Sequence, residues 1–151
     1  MSHKYHNPMR LKGYDYRSGG AYAITIKAKI GTRIFCHPHL RFILETEWAK
    51  LAERFPGVAP MTFMVMPDHL HCMLLIDGNV EDVCSVSDVI GAYKSIVYNV
   101  WQYYVYVNKI KLPTALWKRR FYDHIVRNEI DFANQTAYIL NNPIKAKLKK
   151  Q

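Results

Sequence analysis

Apolar and polar residues alternate through residues 22–28, Tyr-Ala-Ile-Thr-Ile-Lys-Ala, placing Tyr22, Ile24 and Ile26 on one face. That two-residue period predicts a first strand. Residues 39–55 change period: Leu40, Ile43, Leu44, Trp48, Leu51, Ala52 and Phe55 recur at three- and four-residue intervals. This is the stripe of an amphipathic helix, stopped by Pro56-Gly57. A short apolar run, residues 61–66, predicts a second strand, and Pro67-Asp68 links it tightly to a third over residues 69–76. Strands so close in sequence pair most simply in antiparallel fashion. Ser85 is placed to cap a second helix carrying Val86, Val89, Ile90, Tyr93, Val97, Val100, Trp101 and Tyr104 at helical spacing. Gly91 inside that helix costs a little stability and suggests close approach to another backbone. Residues 117–126 read as a basic, aromatic strand or strand-loop. Asn128 then caps a third helix, residues 129–142, with Ile130, Ala133, Ala137 and Leu140 as its inner stripe and Asp131, Asn134, Tyr138 and Asn142 as a polar stripe beside it. Pro143 disfavours helical backbone at Asn142 and is expected to end the helix there.

The third strand opens on His69-Leu70-His71. Side chains alternate along a strand, so both histidines leave one face while Leu70 enters the core. Their Cβ atoms lie roughly 6.5–7 Å apart, two strand rises, from which two imidazoles can share one metal ion. Two neutral histidines leave a divalent metal open positions for oxygen ligands, which suits polarising a phosphate. A strand edge with two solvent-facing histidines is the plainer alternative. Cys36-His37-Pro38-His39 has no matching Cys/His pair at zinc-finger distance and reads as a loop before the first helix. Tyr138 shares a polar helix face with Asn134 and Asn142, each four residues away. The chain has eleven tyrosines, and spacing alone does not choose among them.

Length and charge narrow the partner. The 151 residues suit one domain with its own core, and half of them are apolar. Net charge is +9, and it is lopsided: residues 91–151 hold eleven Lys/Arg against three Asp/Glu. Such a basic half points to a polyanion. Aromatics interleaved with Arg in residues 117–127 suit stacking on unpaired bases with phosphate contacts beside them. Three scattered cysteines (Cys36, Cys72, Cys84) read as reduced thiols of a cytoplasmic protein, not a disulfide framework. No apolar run reaches membrane-spanning length, so no membrane partner is expected. Residues 1–20, polar and ending in Arg17-Ser18-Gly19-Gly20, read as a loop.

Five blocks together carry a family resemblance. Met66-Pro67-Asp68-His69-Leu70-His71 resembles the "MPxHxH" motif of the single-tyrosine transposases of the His-hydrophobic-His class, and among these the REP-associated tyrosine transposases. Arg10–Tyr16 with Gly20–Ile26 resembles their opening strand, and Ile90-Gly91-Ala92-Tyr93-Lys94-Ser95 their central helix. Trp117–Arg127 resembles "WQRxFYDHxxR", and Tyr138–Ala146 resembles "YIxxNPxKA". Asp68 stands where relatives often have Asn, and Lys118 and Arg120 where they often have Gln and Gly.

The resemblance implies one α+β domain over residues 1–151, a ferredoxin-like antiparallel sheet with helices on one face and the histidine pair on a central strand. It implies Tyr138 as nucleophile, and His69, His71 and Asn142 as ligands of Mg²⁺ or Mn²⁺. The activity would be single-strand DNA cleavage and rejoining through a 5′-phosphotyrosine, on single-stranded or hairpin DNA. Charge and position add Lys94, Lys118, Arg119, Arg120 and Arg127 as DNA contacts. Related enzymes occur as monomers and as homodimers that exchange the tyrosine helix. A water-using metal nuclease and a non-catalytic nucleic-acid-binding module are the alternatives, separated from transposition by a covalent protein–DNA adduct.

Overall fold

The computed structural model describes residues 20–29 and 33–149, with side chains as far as residue 141. The sequence readings on residues 1–19 and on Gly31-Thr32 lie outside the described residues. Strand β1 (Gly20–Ala28) is followed by helix α1 (Pro38–Ala49) and the single turn α2 (Leu51–Arg54). The antiparallel pair β2 (Val58–Val65) and β3 (His69–Ile76) comes next, then α3 (Val86–Val107), β4 (Trp117–Val126) and α4 (Glu129–Lys149). The sheet order is β2-β3-β1-β4, antiparallel throughout. This β-α-β-β-α-β arrangement is the ferredoxin-like one, and it makes β1 and β3 the two interior strands.

One face of the sheet builds the core. Tyr22, Ile24 and Ile26 of β1 and Leu70, Cys72 and Leu74 of β3 are all fully buried, against Leu40, Leu44 and Trp48 of α1 and Val89, Ile90, Tyr93, Val97 and Trp101 of α3. The Tyr93 hydroxyl donates to the Leu44 carbonyl at 2.8 Å and ties the two helices together. Ser85 caps α3 as its position suggests, its Oγ accepting from the Asp88 N–H. The Cys36–His39 cluster is a capping device: the His37 ring accepts from the His39 N–H at 3.2 Å, and Pro38 occupies the first helical position.

Several local expectations change. The helix read over residues 39–55 breaks at Lys50, whose backbone (φ −78°, ψ −7°) departs from a regular helix, before a short turn resumes. β2 starts earlier than residue 61; an irregularity between Pro60 and Phe63 interrupts its alternation and hides its first half. A Cβ at Gly91 would meet nothing within 4 Å, so this glycine marks no close backbone approach. Helix α4 runs on through Pro143 to Lys149; an interior proline is costly to a helix but does not end this one.

The largest change concerns which side α4 presents. Helices α1 and α3 share one face of the sheet, but α4 lies over the other. Its expected inner stripe points outward: Ile130 is 74% and Leu140 50% exposed, and Ala133 and Ala137 are exposed too. Ile139 is buried instead, with Phe132 beside it, against Ala23, Met73, Met64 and Val126. The reason is the surface it covers. That face carries histidines, a threonine and a lysine, so the more polar side of α4 is the complementary one.

The alternation of β3 separates stability from surface chemistry. Leu70→Ala should lose about 2–5 kcal/mol in chemical denaturation, the cost of a cavity in a close-packed core. His69→Ala, one residue away on the opposite face, should lose about 1 kcal/mol or less. Equal losses would mean that His69 is a core residue.

Candidate functional site

The pairing of three strands assembles the site. Thr25 faces His71 on β3 and Tyr122 on β4, while Lys27 faces His69. Odd-numbered residues of β1 and β3 leave the sheet on the side away from the core, so Thr25, Lys27, His69, His71 and Met73 share that side with Tyr122 and His124. α4 crosses above them and brings Tyr138. Thr25, Lys27, His71, Tyr122 and Tyr138 line one pocket of about 290 Å³.

The two imidazole rings stand 4.6 Å apart, centroid to centroid, edge to face. His69 donates from Nδ1 to the Asp68 carboxylate at 2.7 Å. His71 Nδ1 lies 3.1 Å from Thr25 Oγ1. Each ring is thereby held through Nδ1, which leaves Nε2 as the nitrogen for a metal, with a hydrogen-bonding group behind it as metal-binding histidines commonly have. Asp68 thus serves as the orienting partner of His69. The hydrogen bond from His69 holds the Asp68 carboxyl below the usual carboxylate range, outweighing a smaller opposing effect of burial. Burial, followed by the charges of His69 and Lys27, pushes the His71 imidazole down to about 4. At neutral pH that ring is unprotonated, the form that binds metal. His71 is only 8% exposed, so it is no surface histidine.

Among the described residues, no three His, Cys, Asp or Glu groups stand together as a metal site. The donor set still fits a hard divalent ion. Two neutral imidazoles can be completed by an amide oxygen and by phosphate or water oxygens. Asn142, one helical turn after Tyr138, supplies an amide by sequence; its side chain lies outside the described residues.

Tyr138 is 45% exposed, and its ring lies 5.7 Å from that of His71. Its position depends on how α4 begins. Asn128 caps the helix, accepting from the Asp131 N–H at 2.8 Å. Asp131 accepts from the Arg127 N–H at 3.2 Å and pairs with buried His124 at 2.8 Å. Burial pushes the Asp131 carboxyl up, but the bonds from His124, Arg127 and Gln135 outweigh it and hold it below its ordinary value. This clasp fixes the start of α4 on β4 and so sets which side of the helix meets the sheet.

The basic residues divide. Arg119, Arg120 and Arg127 are exposed on and just after β4. Lys118 is partly buried, and with Arg119 and Arg120 it forms the stretch where the β1–β4 register shifts, beside Lys27. Lys94 does not join them. Its ammonium donates to the carbonyls of Lys118 and Arg119 at 2.9 and 3.4 Å and lies 5.9 Å from the Trp117 ring centroid, pinning α3 to β4. Burial lowers its affinity for the proton. Lys27 stands in none of the motif blocks, and Thr25 stands in the opening-strand block with no role assigned to it. The signal was the alternation of β1, which puts both opposite to Tyr22, Ile24 and Ile26, but only the pairing with β3 shows what they face.

No family model matches the chain. It is 29% identical over 162 residues to a Haemophilus influenzae protein of no assigned function, spanning 90% of this chain and 87% of that one. It is 23% identical over 133 residues to another Haemophilus influenzae protein, provisionally named a REP-associated tyrosine transposase, spanning 87% and 74%. The fold matches that of a REP-associated tyrosine transposase solved bound to a REP hairpin (TM-score 0.66, 21% identity, 91% of this chain and 74% of that one). It also matches a protein of Deinococcus radiodurans provisionally named a transposase (TM-score 0.55, 18% identity, 88% and 96%). The chain therefore resembles the REP-associated tyrosine transposases in its sequence blocks, in its similarity to a curated relative and in its fold.

Proposed function

We propose that this protein is a single-tyrosine DNA transposase that cleaves and rejoins single-stranded, hairpin-forming DNA through a covalent bond to Tyr138. The observation that carries this reading is the placement of the Tyr138 ring 5.7 Å from His71, over one pocket on the histidine-bearing face. The named relatives, one of them bound to a REP hairpin, support the same substrate class.

His69 and His71, with Asn142 as third ligand, would hold Mg²⁺ or Mn²⁺; such an ion neutralises phosphate charge and orients the scissile group. The remaining work falls to the chain. A phenol is mostly protonated at neutral pH and is a weak nucleophile unless activated. Tyr138 Oη attacks the phosphorus and loses its proton to water. The P–O3′ bond breaks, and the 3′ oxygen takes up a proton. The product is a 5′-phosphotyrosine and a free 3′-OH. The phosphodiester energy is retained in the new ester, so a second 3′-OH can reverse the step and join strands without a nucleotide cofactor. Asp68 and Thr25 keep the imidazoles in place, and the His124–Asp131 clasp keeps Tyr138 above them.

Tyr122 is the specific rival, because it lines the same pocket. Incubation with hairpin DNA and Mn²⁺, followed by a denaturing gel, separates the readings. Wild-type protein should give a protein–DNA band resistant to denaturation. Tyr138→Phe should bind DNA and give no such band, while Tyr122→Phe should still give one. Cleaved DNA with no adduct would favour a nuclease that uses water, and neither cleavage nor adduct a binding module.

Affinity for single-stranded DNA should fall with salt, by about 0.7 in log–log slope per phosphate contact. Arg119→Ala should flatten that slope by about one contact. Lys94→Met should leave the slope unchanged but lower stability by about 1–3 kcal/mol, through the β4 carbonyls that lose their donor. A flattened slope for Lys94→Met would return Lys94 to the DNA path.

A further inference from the structure

Lys27 belongs to none of the motif blocks that carry metal or nucleophile, yet it sits inside the pocket. It faces His69 across the β1–β3 ladder and lines the cavity with His71 and Tyr138. Its ammonium stands 5.1 Å from the centroid of the Tyr122 ring, within reach of a cation–π attraction. The carboxylates of this face are committed elsewhere: Asp68 to His69, Asp131 to His124. Among the described residues no carboxylate pairs with Lys27. The pocket therefore holds an ammonium beside two imidazoles, and among the described residues no carboxylate lines it. Lys27 is only partly exposed, and an anion beside it would complete its ammonium.

We propose that Lys27, held over the Tyr122 ring, grips a non-bridging oxygen of the phosphate that Tyr138 attacks. This rests on the transposase reading of the same pocket. The geometry places Lys27 between the histidine pair on β3 and the shifted stretch Lys118–Arg120 on β4, so a strand crossing the sheet from one to the other passes over it. In the reaction the Tyr138 Oη–P bond forms and the P–O3′ bond breaks, and negative charge builds on the non-bridging oxygens. An ammonium fixed in advance at those oxygens stabilises the transition state more than the bound substrate. The aromatic ring gives Lys27 its position: it attracts the ammonium without neutralising it, as a carboxylate would. Tyr122 is thus a positioning residue, and its ring rather than its hydroxyl does the positioning.

The test measures single-turnover adduct formation on hairpin DNA with Mn²⁺, alongside DNA affinity measured in the Tyr138→Phe background. Wild type must first form the adduct; if it does not, the transposase reading fails and this assignment falls with it. Given an adduct, Lys27→Ala should slow its formation at saturating DNA by about 100-fold or more, in line with losing one preorganised donor. DNA affinity should change only a few-fold. Lys27→Arg should recover much of the rate. Tyr122→Leu should slow the reaction in the same direction, and Tyr122→Phe, which keeps the ring, should be far less impaired. Thermal melting of each variant shows whether it is folded, and Lys27→Gln serves in place of Lys27→Ala if the latter is not. A wild-type rate for a folded Lys27→Ala, or an effect confined to DNA affinity, overturns the proposal.

Discussion

Everything at the site hangs on one strand, β1, pairing on both edges at once. Its hydrogen bonds to β3 and β4 bring Thr25 level with His71 on one side and Tyr122 on the other. The same ladder sends Tyr22, Ile24 and Ile26 into the core. A slip of one residue would invert both sets together. The buried aliphatic face therefore stabilises the register, and the register positions the polar face. The histidine pair needs no separate scaffold, because Leu70 between them is anchored among fully buried side chains.

The second constraint is the polarity of the face that α4 covers. A helix lying there must accommodate imidazoles, a hydroxyl and an ammonium, and α4 meets them with Asp131, Gln135, Thr136 and Tyr138 around a small apolar patch centred on Ile139. The Asn128 cap and the His124–Asp131 pair set its start. With the start fixed, helical geometry carries Tyr138, two turns later, to His71. Charge is arranged in the same economical way. Among the described residues, each carboxylate near the pocket is paired with a histidine, which orients the imidazole and leaves the Lys27 ammonium over the Tyr122 ring.

How much of this was legible in the residues varies by element. β3 was readable to its ends, because its apolar run up to Ile76 is of strand length and Pro67-Asp68 and Asp77-Gly78 bracket it. Ser85 and Asn128 were readable as caps, since a short polar side chain before a helical run has few other uses there. α4 defeated the periodicity argument. It carries two overlapping apolar stripes, Ile130-Ala133-Ala137-Leu140 and Phe132-Ile139, and the choice between them depends on a sheet face assembled from three distant strands. Lys94 looked like a DNA contact because charge on a helix off the apolar stripe is usually solvated; its carbonyl partners on β4 come from residues more than twenty positions away. Thr25 and Lys27 were invisible for the same reason: their role exists only in the pairing.

The central claim is that the oxygen joined to DNA is that of Tyr138. Peptide mapping by mass spectrometry of the trapped, nuclease-trimmed complex measures this directly. A nucleotide remnant on the peptide containing Tyr138, linked through a 5′-phosphate, is the result this structure predicts. A remnant on Tyr122, or a 3′-phosphate linkage, would contradict it.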